Sequence, residues 1–242
     1  MKRLLLCIIL AGILVPARSQ EKSYDTLAIV VVDHMSAIIG DLASCRFTLN
    51  AESDVTDPNL GTVTNHEVSH VWFSGPDKLL IEAWGGKGHR GYWYNGSTLT
   101  WYSFTENNYV VIPVPNRTIA MIDSVNDVYG IDFPAADFFY PTLSDDLISH
   151  SDYISFEGRT RIGDQTCFHV VATNKEMTVQ IWISDEVLFL PLKMVITYKG
   201  KSVTQRYEAT FSDWQINPVL PDAMFEFALP PGAHEVSILP KK

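Results

Sequence analysis

Residues 45–52 alternate between apolar and polar positions, with Cys45, Phe47, Leu49 and Ala51 on one side and Arg46, Thr48, Asn50 and Glu52 on the other. A period of two marks a half-buried strand. The stretch before it, residues 25–44, has a different rhythm: Val31, Val32, Met35, Ile38, Ile39 and Leu42 recur at helical spacing, so a long helix is expected ahead of the strand. Further strands are expected near 62–74, 77–84, 89–95, 97–104 and 108–114, with connections short enough to force a meander. Asn95-Gly96 between two aromatic, β-branched runs is a strong hairpin signal, with both turn positions expected at positive φ.

The rhythm then breaks. Ile119, Ile122, Val125 and Tyr129 have helical spacing with a stop at Gly130, and shorter helical pieces are expected after Pro134 and near Leu143. Strands resume near 152–162, 165–174, 176–184, 189–199 and 202–215, with alternation clearest in Val179, Ile181 and Ile183, in Leu192, Met194 and Ile196, and in Tyr207, Ala209 and Phe211. The fold class is therefore α+β, mainly β. Its sheet is expected to be antiparallel, wetted outside, and curved around the helices set against its apolar side.

Two motifs invite catalytic readings, and the pattern around them argues against both. His66-Glu67-Val68-Ser69-His70 spells the H-E-x-x-H of zinc proteases, which grips one ion only when a helix brings both imidazoles to one face. Thr, Val, Trp and Phe around it predict a strand, on which the two histidines would stand about 13–14 Å apart. No metal is expected there. Gly86-Lys87-Gly88-His89-Arg90-Gly91 fits G-x-G-x-x-G, but a strand follows it where dinucleotide binding requires a helix. The glycines are expected in a solvated hairpin loop carrying Lys87, His89 and Arg90.

Composition narrows the setting. The chain opens "MKRLLLCIILAGILVPARSQ", two cations and a short apolar run ending in small residues, which predicts a cleaved secretory leader over 1–19 and a single domain over 20–242. Cys7 sits too deep in that apolar run, after Leu6, to be a lipidation site. The formal net charge is −10, and the leader contributes cations only, so an exported chain is more acidic still. Nucleic acid is excluded as a partner for want of clustered Lys and Arg. Export permits a Cys45–Cys167 disulfide, worth about 4–5 kcal/mol in the chain-entropy model where geometry allows it, but the sequence leans toward two separately buried thiols.

The stretches "YWYNGSTLTWYS", "DVYGIDFPAADFF", "VQIWISDEVLFLPLKMVITYKG" and "YEATFSDWQINPVLPDAMFEFALPPGA" together resemble a family of predicted periplasmic proteins related to the Lol lipoprotein carriers (LolA/LolB-like). The resemblance implies a strongly bent antiparallel sheet, an unclosed half-barrel whose concave apolar face is covered by helices. It implies a periplasmic location. The resemblance does not supply an activity, since fold does not carry function with it.

An unclosed apolar concavity must be filled by its own helices or by a guest. The leading expectation is a carrier for an acyl chain, lipid or lipidated protein, in transient contact with membranes. Tyr92, Tyr94, Leu99 and Trp101 share one face of the hairpin and are expected to line the concavity, with Met194 from a later strand and Phe138, Phe139 and Tyr140 as a lid. The alternative is an envelope sensor or a module binding protein or glycan through Trp93 and Tyr102 on the other face. Neither reading is enzymatic: no catalytic residue and no cofactor is expected. His34 and His169 are lone histidines, and the pairs Asp145-Asp146 and Asp185-Glu186 belong in helix starts or turns.

Overall fold

The computed structural model describes residues 22–133, 135–199 and 205–241; the expected leader, 1–19, lies outside them. In chain order the elements are β1 (Ser23–Tyr24), α1 (Thr26–Gly40), β2 (Ser44–Asp57), β3 (Gly61–Ser74), β4 (Lys78–Gly85), β5 (Gly88–Tyr94), β6 (Thr98–Ser103) and β7 (Asn108–Pro113). Then come α2 (Thr118–Tyr129), a 3-10 turn (Ala136–Phe139) and α3 (Leu143–His150). The chain returns to strands with β8 (Tyr153–Ile162), β9 (Gln165–Thr173), β10 (Met177–Ser184), β11 (Pro191–Tyr198) and β12 (Gln205–Ile216). A second 3-10 turn (Asp222–Phe225) leads to β13 (His234–Glu235).

All these strands form one unclosed, curved sheet in the order β1-β8-β9-β10-β11-β12-β2-β3-β4-β5-β6-β7-β13. Two meanders, β2–β7 and β8–β12, are sewn together where β12 pairs antiparallel with β2. The two edges are capped by two-residue strands that pair in parallel, β1 on β8 and β13 on β7. Because α2, the 3-10 turn and α3 lie in the chain between the two meanders, they cross from one half of the sheet to the other. The expected mainly-β architecture with helices on one face is the observed one.

Register decides which side chains meet the helices. Phe47 pairs with Val71, Val71 with Ile81, and Ile81 with Tyr92, so alternate residues of four strands share the covered face. On the far side of β2, Leu49 pairs with Phe211 and Ala51 with Ala209. Phe47, Leu49, Val71, Ile81, Ala209 and Phe211 join Ala28, Val31, Met35 and Ile39 of α1 and Met121, Ile122 and Val125 of α2 in one core, with Tyr92 packed against it. Helix α1 starts where the Asp25 carboxylate accepts from Leu27 N at 2.8 Å, capping an orphan donor. Helix α2 stops at Gly130, whose φ of 67° is the left-handed conformation glycine adopts without steric cost.

Three expectations are corrected. The hairpin after β5 has a three-residue loop, 95–97, in which Gly96 alone has positive φ (94°) and Asn95 Oδ1 accepts from Ser97 N and Thr98 N. The side chain supplies the turn, so Asn95 has no need of the left-handed conformation. Only Gly86 and Lys87 of the glycine motif form the solvated turn, because His89 and Arg90 belong to β5, where His89 is stacked on Trp84 and Phe104 and Arg90 is buried. The outer face of β5–β6 is covered as well: Phe227, past the second 3-10 turn, packs on Trp93 and Tyr102 with ring centroids 5.1 and 5.4 Å apart. Tyr102 is 5% exposed, not an open platform.

Candidate functional site

The space between sheet and helices holds a chain of adjoining cavities. The first, about 430 Å³, is apolar: Phe47, Val71 and Ile81 form its floor, Ile39 reaches it from α1 and Leu42 from just beyond that helix, and Ile122, Phe133 and Phe139 roof it. A second of about 500 Å³ lies over the other half of the sheet, between Val179, Ile181, Met194 and Ile196 below and Phe138, Tyr140 and Leu147 above. A third, about 690 Å³, shares Phe133 with the first and Tyr140 and Met194 with the second. A fourth, about 600 Å³, adjoins the first at Ile81 and Phe133 and is polar at its centre, where Glu67, Arg90, Tyr92 and Tyr207 converge.

That polar centre follows from strand parity. Arg90 stands two residues before Tyr92 on β5, and Glu67 two before Ser69 on β3, so both face inward with the apolar set. The Arg90 side chain, 10% exposed, donates from Nη2 to Glu67 Oε2, and Glu67 is 24% exposed. Burial would lower the Arg90 pKa, but the Glu67 charge and hydrogen bond raise it, so the guanidinium stays charged. Tyr92 lies beside it; burial pushes its phenol up while the Arg90 charge opposes the rise. Tyr207 is driven further above the ordinary range, by burial first and then by Glu67 and Asp137.

The eight residues expected to line the concavity divide into three groups. Tyr92 and Trp101 line the polar cavity. Phe139 roofs the first cavity, Phe138 the second, and Tyr140 and Met194 border both the second and the third. Tyr94 and Leu99 are fully buried and line none of these four spaces; the Tyr94 hydroxyl donates to Pro115 O at 2.8 Å, pinning the loop before α2. The lid is tied internally where Tyr140 OH donates to Asp123 Oδ1 of α2 at 2.6 Å. Sequence reasoning missed Glu67, Arg90, Tyr207 and Phe133.

The H-E-x-x-H residues do not converge. On β3 they alternate, so His66 and His70 face outward while Glu67 faces the cavity. His66 Nδ1 lies 3.5 Å from Glu52 Oε1, and His70 packs edge-on against Trp84 with centroids 5.1 Å apart. His34 and His169 are stacked on Phe189 and Trp182. Cys45 and Cys167 are free, buried thiols. Strands β10, β11 and β12 stand between theirs, which at about 4.8 Å per strand puts them roughly 19 Å apart, beyond any disulfide.

No protein of curated function matches the chain. Among solved structures it is similar to an uncharacterised conserved protein from Thermus thermophilus, at 11% identity and a TM-score of 0.51, over 87% of this chain and 98% of that one. It is also similar to the lipoprotein LppX of Mycobacterium tuberculosis, at 12% identity and a TM-score of 0.50, over 81% and 98% of the two chains. A LolA superfamily protein from Nitrosomonas europaea aligns over 83% of this chain and 97% of its own at 11% identity, with a TM-score of 0.36. At such identities the first two likenesses establish the shared fold. Residues 28–239 match the family model described as "Predicted periplasmic protein (DUF2092)", and the chain belongs to that family.

Proposed function

We propose that the protein is a periplasmic carrier that holds an acyl chain, free or attached to a lipid or lipoprotein, between its sheet and its helical lid. The observation that carries this reading is the apolar space under Phe139, about 430 Å³ and walled by Phe47, Val71, Ile81 and Ile122. Its size falls within the range of about 300–1,000 Å³ usual for small-molecule sites. Each methylene moved there from water contributes about 0.8 kcal/mol, so a chain is an effective guest. Delivery would require only transient membrane contact.

The same geometry supports binding over catalysis. The polar groups that converge at the centre of the fourth cavity are an ion pair and phenols raised above their ordinary range, which suit recognition over nucleophilic chemistry. A protein- or glycan-binding outer face is less well supported, because Phe227 covers Tyr102 and Trp93.

Native mass spectrometry of protein isolated from the envelope tests the proposal, together with tryptophan emission during titration with palmitate. A lipid-sized adduct and a blue shift are expected. Adduct-free protein with emission indifferent to acyl chains of every length would refute the carrier reading.

A further inference from the structure

Glu67 and Arg90 form a pair that leaves one strong donor over. A guanidinium offers five N–H donors, and Glu67 engages Nη2. Nη1 is buried and has no hydrogen-bond partner among the described residues; the Tyr207 hydroxyl is in the same condition. Both side chains line the cavity of about 600 Å³. Fully buried donors without partners are uncommon, and each is costly to leave unmade. The floor around them is built of Ala51, Ser53, Ser69 and Ala83, whose short side chains leave the space open.

The chemistry of the lining selects the ligand group. Two donors ask for an acceptor. Arg90 is matched in charge by Glu67, and the lining's other cation, Lys87, is balanced in number by Asp132, so the cavity has no surplus positive charge to draw in an anion. An uncharged acceptor suits it best. The apolar cavity adjoins this one at Ile81 and Phe133, so a chain in the apolar cavity would bring its polar linkage into the polar one.

We propose that Arg90 Nη1 and Tyr207 OH form a seat for the carbonyl oxygen of an acyl ester or amide whose chain lies under Phe139. This rests on the carrier reading and adds what it leaves open, the class of head group.

The test displaces N-phenyl-1-naphthylamine from the mature protein with matched ligands. 1-Palmitoylglycerol and 1-O-hexadecylglycerol share chain and glycerol but only the first has a carbonyl; palmitoylethanolamide presents the amide, palmitate an anion. The ester or the amide should bind about five- to thirtyfold more tightly than the ether, the worth of one to two ordinary hydrogen bonds. Tyr207→Phe, which removes only a hydroxyl, should pull that ratio toward one. A paired Glu67→Leu, Arg90→Met variant, which strands no charge, should do the same. Equal affinities for ester and ether in the unaltered protein would mean that water satisfies the donors, overturning the seat and leaving the carrier standing. Palmitate binding ahead of the ester and the amide would overturn it in favour of an anion site. Binding of none of the four would refute the carrier reading and the seat together.

Discussion

Phe139 in the lid faces Phe47 on the sheet with ring centroids 6.0 Å apart, and it meets Phe73 at 5.5 Å. Through this contact the 3-10 turn holds down the roof of the apolar cavity. Phe139→Ala removes the anchor without touching the sheet's hydrogen bonds. The expected cost is about 2–3 kcal/mol, below the usual range for a fully buried phenylalanine because this ring is only half-buried. Thermal unfolding should show a fall of several degrees. Stopped-flow uptake of a naphthyl probe should accelerate; an unchanged rate would mean that the lid does not gate the cavity.

The Glu67–Arg90 pair is expected to show strong non-additivity. Arg90→Met alone leaves a carboxylate inside the sheet's covered face, at a cost of about 3 kcal/mol. Replacing both partners with apolar residues removes the stranded charge, so the Glu67→Leu, Arg90→Met protein should recover most of the loss. Urea denaturation of the two single variants and the double variant measures the coupling. Additive losses would mean that the pair is solvated and does not organise the polar cavity.

The two thiols should behave as separate buried groups. Burial pushes the Cys45 thiol up to about 12, and burial with the nearby Asp185 charge also raises Cys167. A raised thiol pKa means that little thiolate exists at pH 8, and the thiolate is the reactive form. In protein prepared without the expected leader and its Cys7, an aromatic disulfide reagent should therefore titrate two thiols in denaturant and react slowly with the folded protein. Rapid reaction of either cysteine at pH 8 would contradict the burial; absence of thiols in denaturant would contradict the strand order.

Most of the fold was legible because period-two alternation leaves few alternatives. The inward set Cys45, Phe47, Leu49 and Ala51 is buried on β2, and Gly130 ends α2. The site was legible only where it is apolar. Tyr92 and Trp101 were found by parity, yet the same parity places Arg90 inside, and the glycine motif masked it as a loop residue. Glu67 was similarly hidden within H-E-x-x-H. Charged residues on an inward face pass for surface groups until their partner across the sheet is known, and Arg90 and Glu67 are 23 residues apart in sequence. The burial of Tyr102 was beyond reach for a related reason: Phe227 comes to it from a segment with no regular period.

Phe227 gives the last expectation. Its ring lies against Trp93, Tyr102 and Tyr109 at centroid separations of 5.1, 5.4 and 6.0 Å, closing the outer face of β5–β7. Beyond it the chain pairs through β13 with β7, and Lys241 N and Nζ then donate to Val128 O and Asn126 O at the end of α2. One terminal segment thus covers the outer face and grips the lid helix. Phe227→Ala should uncover the aromatic patch, shift Trp93 emission to the red, and cost about 2–3 kcal/mol for a half-buried ring. If the segment also restrains α2, the variant should take up the naphthyl probe faster, although Phe227 lies on the opposite side of the sheet from the cavity. A red shift with an unchanged uptake rate would confine the segment to covering the outer face and leave the lid governed by Phe139 and Tyr140.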